Sequence, residues 1–469
     1  MMQMQGALML VTFLPFVFLA VALIVDKERS LAAAAISSAV SMAILIYITV
    51  FSSINATESF SYISIIPISF TLRLSPASFM LLIMSYIVLI AASIAGNHER
   101  QSQKLAASLI LLLQVAASGL FLSGNLFLYF IFWDVGVVSS FFFLYSLGSP
   151  QRGPAAMKFL IYEMFASVFL LLGIITIYFG TPVHSFNIAY IAAHAASIPV
   201  ASQITLFVLL AVAFLTNMGI FPLHFWLPDA YTEASTQGSM VLSAILSKFG
   251  AFGIFLLFAI LPAGAELAKY IALLGGISAF YAAFLMMSHK DIKRVMSYTS
   301  IMEMGIILIG LSSLNVIGTY GAIYAMLAHG LTIALMFLAA GSMVHVFGTR
   351  DIRTLAGMVS NAKAAAYSFL LSTFAATGLP LTTGFIADLL IFIGAYSAFG
   401  ILGVVPLLAI VLFGAYMYFA IEKSVLSTKK ESVAVARTSN GQAFGYALLV
   451  GSILLFGMFP FLLLGLVKI

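Results

Sequence analysis

The chain has 469 residues, 63% of them hydrophobic and 7% charged, with no Cys and a formal net charge of +5; its mean hydropathy is +1.16. Soluble domains carry roughly 25% charged residues, so the composition excludes a soluble globular protein and defines a polytopic membrane protein. The lack of Cys excludes disulfides, thiol chemistry and iron–sulfur clusters, and basic residues spread between apolar runs argue against nucleic acid as a partner. No polar block is long enough for a separate soluble domain, so the chain is expected to hold no cofactor and to depend on partners for any redox chemistry.

The first run, MMQMQGALMLVTFLPFVFLAVALIV, has its positive charges, Lys27 and Arg29, after the apolar stretch and not before it. It reads as a retained first span with the N-terminus outside. Further apolar stretches of about 20 residues follow near 31–51, 76–96, 104–122, 124–147, 157–179, 203–222, 236–261, 267–287, 294–313, 316–347, 364–398, 401–421 and 443–467. The expected fold is an all-α polytopic membrane protein of about fourteen transmembrane helices. Basic residues should collect in cytoplasmic loops. With both termini outside, sixteen Lys and Arg fall inside: Lys27, Arg29, Arg100, Lys104, Arg152, Lys158, Lys290, Lys293, Arg294, Arg350, Arg353, Lys363, Lys423, Lys429, Lys430 and Arg437. Arg73, Lys269 and Lys468 fall outside, and Lys248 lies within a span. The bias predicts a multi-pass topology with both termini outside, and the chain is expected in the cytoplasmic membrane.

Span seven runs into FPLHFWLPDAYTEAS, where Pro222 and Pro228 each lack a backbone donor and clash with the preceding turn. The helix is expected to break there. Broken backbone at membrane depth is tolerated only inside protein or along a wet cavity. His224, Asp229 and Glu233 in this stretch are therefore candidates for an ion route, or else tie off the backbone freed by the prolines. Spans eleven and twelve are long, and Gly321 and Gly330 in one and Gly378, Pro380 and Gly384 in the other mark both as candidate interrupted helices. Breaks in spans seven and twelve are five spans apart, an odd offset that inverts orientation. The organisation expected is one transmembrane domain over 1–469: helices 1–3 in 1–103, a first five-helix repeat in 104–262, an inverted second repeat in 267–424, and a last helix in 443–469.

A helix rises about 1.5 Å per residue, which puts Asp134, Asn217, Lys248, Glu303 and His329 near the midplane, Asp388 towards the outer half beyond Pro380, and Glu163 nearer the cytoplasm. Ionisable residues at that depth are functional candidates, and an alternating row of acids, a base and an imidazole suits lateral proton transfer. Burial disfavours the ammonium of Lys248 and a carboxylate restores it, so a movable acid such as Asp134 could switch Lys248 between holding and releasing a proton. The structural alternatives are a static Lys248–Asp134 pair, a Glu303 hydrogen-bonded to Tyr298, and a His329 satisfied within the core.

The segments PLHFWLPDAYTEAS and SAILSKFGAFG, FIFWD ending at Asp134, HKDIKRVMSYTSIMEMG over 289–305, AHGLTIALMFLAAGSMVHVFGTRDI from Ala328 and LPLTTGFIADLLI around Asp388 together resemble the antiporter-like subunits of respiratory complex I. Relatives of that family occur in multi-subunit sodium/proton antiporters and membrane-bound hydrogenases. The HGL form around His329 and the chain end after span fourteen resemble the M-type subunit more than the L-type. The resemblance implies a glutamate in span five, a lysine in broken span seven, a lysine in span eight and an acid in broken span twelve. This sequence has Asp134, Asn217, Lys248 and Asp388 there, so the second position cannot titrate.

The leading expectation is a proton-translocating subunit of a complex I-like NADH/quinone-type oxidoreductase, driven by redox partners among other membrane subunits. The alternatives are a subunit of a sodium/proton antiporter or membrane-bound hydrogenase, carrying protons or sodium, and a membrane scaffold whose ion path has decayed.

Overall fold

A computed structural model describes residues 6–51, 54–63, 68–95, 103–355, 357–426 and 437–467. Arg100, Lys429, Lys430 and Lys468, used above in the charge count, lie outside the described residues. The apolar runs form helices α1 (Ala7–Ile24), α2 (Lys27–Phe51), α3 (Pro76–Ala95), α4 (Gln103–Leu122), α5 (Leu126–Leu147) and α6 (Arg152–Gly180). Next come a short α7 (Ile188–Ala193) and the interrupted seventh crossing, α8 (Val200–Met218) and α9 (Leu227–Glu233). The eighth crossing comprises α10 (Thr236–Val241), a π-helical turn over Leu242–Leu246 and α11 (Ser247–Ile260). Helices α12 (Ala268–Met286), α13 (Ile292–Ser312) and α14 (Val316–Phe347) follow, then α15 (Met358–Asn361), the interrupted pair α16 (Lys363–Ala376) and α17 (Thr383–Phe399), α18 (Val405–Ser424), α19 (Asn440–Met458) and α20 (Phe461–Leu464).

Among the described residues, twelve helices are long and apolar enough to cross a membrane. The interrupted α16–α17 and the shorter apolar stretch within α18 supply the remaining two of the fourteen crossings. Short polar caps start several of them: Asn125 accepts from the amides of Phe127 and Leu128, Asp291 from those of Lys293 and Arg294, and Asn315 from that of Gly318. Each cap satisfies donors that a helix start leaves unpaired.

The all-α fold carries one addition: β1 (Thr57–Ile63) and β2 (Ile68–Arg73) pair antiparallel between α2 and α3. One expectation needs correction: span eleven is not interrupted, since α14 runs unbroken for 32 residues. Its glycines serve close approach. A Cβ on Gly321 would lie 2.7 Å from Cβ of Leu390 on α17, and one on Gly330 would lie 2.4 Å from Sδ of Met84 on α3. Small residues let membrane helices pack backbone to backbone, which here sets α14 at the centre of the bundle, all of its membrane-length window buried. That central position delivers His329 to the interior.

Candidate functional site

The seventh crossing breaks as its prolines require. Helix α8 stops at Met218, Gly219 takes the left-handed φ of 70°, and Pro222 sits in the turn that follows. Trp226 donates its indole N–H to the carbonyl of Thr216 at 2.8 Å, satisfying one carbonyl that the helix end exposes. Pro228 falls in the first turn of α9, where a missing N–H leaves no ladder bond unmade. His224 is buried against Phe221, Phe225 and Tyr281, and its Nδ1 has no hydrogen-bond partner among the described residues.

The acids of this break fasten loops. Asp229 receives Lys158 at 2.7 Å and Arg294 at 2.8 Å. Glu233 receives Arg350 at 3.2 Å and the hydroxyl of Ser149. These bonds gather the starts of α6 and α13 and the end of α14 at one face of the bundle, the grouping that the charge alternation implies. Beside them the exposed Arg353 donates to Asp351 and holds that carboxyl down at about 2. Lys293, counted above as a loop cation, is instead only 4% exposed. Its ammonium donates to the carbonyl of Ala234 at 2.6 Å and to Ser239 Oγ at 3.2 Å, closing the C-terminal end of α9.

Lys248 is fully buried two residues after the end of the π-helical turn. Such a turn displaces the ordinary helical ladder and occurs often at functional sites. Here it presents the carbonyl of Ser243 to Nζ of Lys248 at 2.8 Å, with Ser247 Oγ at 3.2 Å. The third neighbour of Nζ is Nδ1 of His329, at 2.6 Å. As an ammonium, Lys248 would have all three donor directions met by these groups, and among the described residues it makes no ion pair. In that state Nδ1 of His329 accepts and the ring proton sits on Nε2, an atom with no partner among the described residues.

His329 also lines a small cavity with Thr299, Glu303, Thr332, Gly384 and Asp388. Its free volume of about 20 Å³ is enough for about one water. Glu303 lies within electrostatic reach of both Lys248 and Asp388. Asp388 was expected apart from the midplane row; the structure brings it to the same cavity, because α16 ends at Ala376 and α17 restarts at Thr383. Pro380 lies in that gap, and Gly378, with φ of 74°, leaves room for the carboxylate, whose Oδ2 would stand 3.0 Å from a Cβ there. Tyr298 is turned to Arg294 and stacks on His289, and no Glu303–Tyr298 hydrogen bond is made among the described residues.

The contact between Asp134 and Lys248, weighed above as a switch or as a static pair, is not formed among the described residues. Asp134, half-buried, accepts from Ser167 Oγ at 2.7 Å, one turn beyond Glu163 on α6. Asn217 donates to Glu163 Oε2 at 3.1 Å and accepts from the amide of Gly250 at 2.8 Å. The reason is geometric: Asp134 on α5 faces α6, whereas Lys248 on α11 faces α14. Glu163, placed nearer the cytoplasm by its position in span six, is completely buried beside Asn217.

The arrangement defines a class: a membrane helix bundle with two interrupted helices flanking a buried row of ionisable side chains. The family model described as NADH:quinone oxidoreductase/Mrp antiporter, TM, matches residues 123–414, and the chain belongs to that family. Among its relatives is F(420)H(2) dehydrogenase subunit M of Methanosarcina mazei, 31% identical over 86% of this chain and 83% of the relative. NADH-quinone oxidoreductase subunit M of Rickettsia bellii is 32% identical over 93% and 90%. The same fold occurs in respiratory complex I from Thermus thermophilus, with a TM-score of 0.90 at 23% identity over 98% of this chain and 97% of that one. The Mrp complex from Dietzia sp. DQ12-45-1b gives 0.89 at 20% identity over 99% and 96%.

Proposed function

We propose that this chain is the proton-translocating, M-type membrane subunit of a complex I-like quinone oxidoreductase. In this reading it sits in the cytoplasmic membrane with both termini outside, holds no electron carrier, and is driven by redox partners in adjoining subunits. Relatives named as subunit M of NADH-quinone oxidoreductase and of F(420)H(2) dehydrogenase support the assignment. The observation that carries the proton route is the 2.6 Å contact between Lys248 Nζ and His329 Nδ1, with the opposite ring nitrogen unpartnered and the ring edging the Glu303–Asp388 cavity.

Imidazole accepts a proton on one nitrogen and releases one from the other. A proton leaving Lys248 forms the imidazolium at Nδ1; the Nε2 proton then passes to Glu303 or a cavity water and on to Asp388. The ring is left as the other tautomer and must reset before the next proton, which makes transfer stepwise. Spans four to eight and nine to thirteen act as two inverted five-helix repeats, one bringing Lys248 and the other His329, Glu303 and Asp388 to the seam.

His329→Gln tests this in inverted membrane vesicles carrying the assembled complex. Glutamine can still accept from Lys248 but cannot relay a proton, so pumping should fall with assembly intact. Unchanged pumping would remove His329 from the route. Because the matching family model also covers Mrp antiporters, the sodium/proton reading is tested alongside: an imposed sodium gradient should not drive proton movement through the complex.

A further inference from the structure

We propose that Glu163 bears the exchangeable proton of the first half of the row, standing in for the lysine that position 217 lacks, as the neutral member of a carboxyl pair with Asp134. The inference rests on the proton-translocating reading above. It begins with the orientation of one amide. Gly250 N–H donates to Asn217 Oδ1 at 2.8 Å, so the amide NH₂ is left to point at Glu163, which it meets at 3.1 Å through Oε2. Position 217 thus supplies a fixed donor in place of a charge.

The other carboxyl oxygen of Glu163, Oε1, is buried and has no hydrogen-bond partner among the described residues, while the residue as a whole is 0% exposed. Asp134 approaches the same strip of α6, bonded to Ser167 at 2.7 Å; residues four apart on a helix lie on one face, so Asp134 meets α6 on the face that carries Glu163, whose own bond runs to Asn217 on α8. The two acids are within electrostatic reach of one another. The cation closest along the chain, Lys158, is committed to Asp229 at 2.7 Å. A second ionised carboxylate, fully buried beside the half-buried Asp134 and without a cation, is strongly disfavoured, and sharing a single proton removes that charge. Exchange within the pair is a proton movement only: the O–H bond of Glu163 breaks, the Asp134 carboxylate takes a proton through a bridging water, and the net charge of the pair stays at −1.

Tyr231 continues the line towards Lys248. Its hydroxyl donates to the carbonyl of Leu242 at 3.2 Å in the π-helical turn, and it faces both Glu163 and Ser247, the latter a direct partner of Lys248.

The test compares Glu163→Gln, the double variant Glu163→Gln with Asn217→Lys, and Lys248→Ala, each as the assembled complex in inverted vesicles. Glutamine keeps an oxygen for the Asn217 amide but cannot exchange a proton, so E163Q should assemble and lose pumping, and the lysine at 217 should restore it by returning a titratable group to that site. Wild-type pumping by E163Q overturns the inference, as does failure of E163Q to assemble, since that would make the carboxylate structural. Loss without rescue by the lysine overturns the claim that Glu163 stands in for position 217. If E163Q pumps while Lys248→Ala does not, this inference fails and the broader reading survives; if neither variant loses pumping, both fail.

Discussion

Replacing Lys293 with Met probes how the seventh crossing survives its break. The lysine is 4% exposed and gives one proton to the carbonyl of Ala234 at 2.6 Å and another to Ser239 Oγ at 3.2 Å. Methionine matches the stem in length and apolarity but offers neither bond. A hydrogen bond from a charged donor contributes about 1.5–3 kcal/mol, and the bond at 2.6 Å is the shorter of the two. Ser239 Oγ also approaches the Ala234 carbonyl, at 3.4 Å, too long to replace what is lost. The expected net destabilisation is about 1.5–3 kcal/mol, roughly a 10- to 150-fold shift in the local opening equilibrium at 1.4 kcal/mol per decade. Hydrogen exchange across residues 227–241 of the purified complex should accelerate by that factor, while Lys293→Arg, which can still donate, should stay close to wild type. Protection in Lys293→Met within about twofold of wild type would show that the lysine does not hold the break and would refute the reasoning.

Gly321→Ala should destabilise the bundle by about 1–3 kcal/mol through overpacking, since the new methyl would lie 2.7 Å from Cβ of Leu390 and 2.9 Å from the backbone of Ile391. Thermal unfolding of the solubilised complex reads this, and Leu390→Ala in the same chain should recover none of the loss, because alanine keeps the Cβ that the new methyl meets and the other close atoms are backbone. Asp229→Asn removes two partly exposed ion pairs, each worth about 0.2–1 kcal/mol. Its stability loss should stay below about 2 kcal/mol, shrink in high salt, and leave pumping in place, because Asp229 fastens loops and does not carry protons; a collapse of pumping in a fully assembled variant would contradict that role.

The crossings were legible because each needs a long apolar run, and the two interruptions because Pro222 and Pro380 deny the helix a donor. The strands over 57–63 and 68–73 were less so: TESFSYI and ISFTLR alternate in the period-two manner of strands, but both are short and flanked by runs long enough to dominate the hydropathy. Span eleven misled for a physical reason. Glycine marks both a weak point in a helix and a place where two helices touch, and only the facing residues, Leu390 and Met84, decide between them. The ionisable residues were found individually, yet their pairings were not, because depth along a helix says nothing about azimuth. Lys248 turned out to meet His329 and not Asp134, and Glu163 turned out to meet Asn217. The π-helical turn before Lys248 left no mark in LSAIL, a sequence equally at home in an ordinary α-helix.

The measurement that bears most directly on the account is proton pumping by inverted vesicles carrying the assembled complex with Lys248→Ala, with assembly and quinone reduction followed in parallel. Lys248 is fully buried and bonded to Ser243, Ser247 and His329. The account predicts a loss of pumping in a complex that still assembles. Pumping equal to wild type in that variant would contradict it, leaving the chain a scaffold and placing the proton route in its partners.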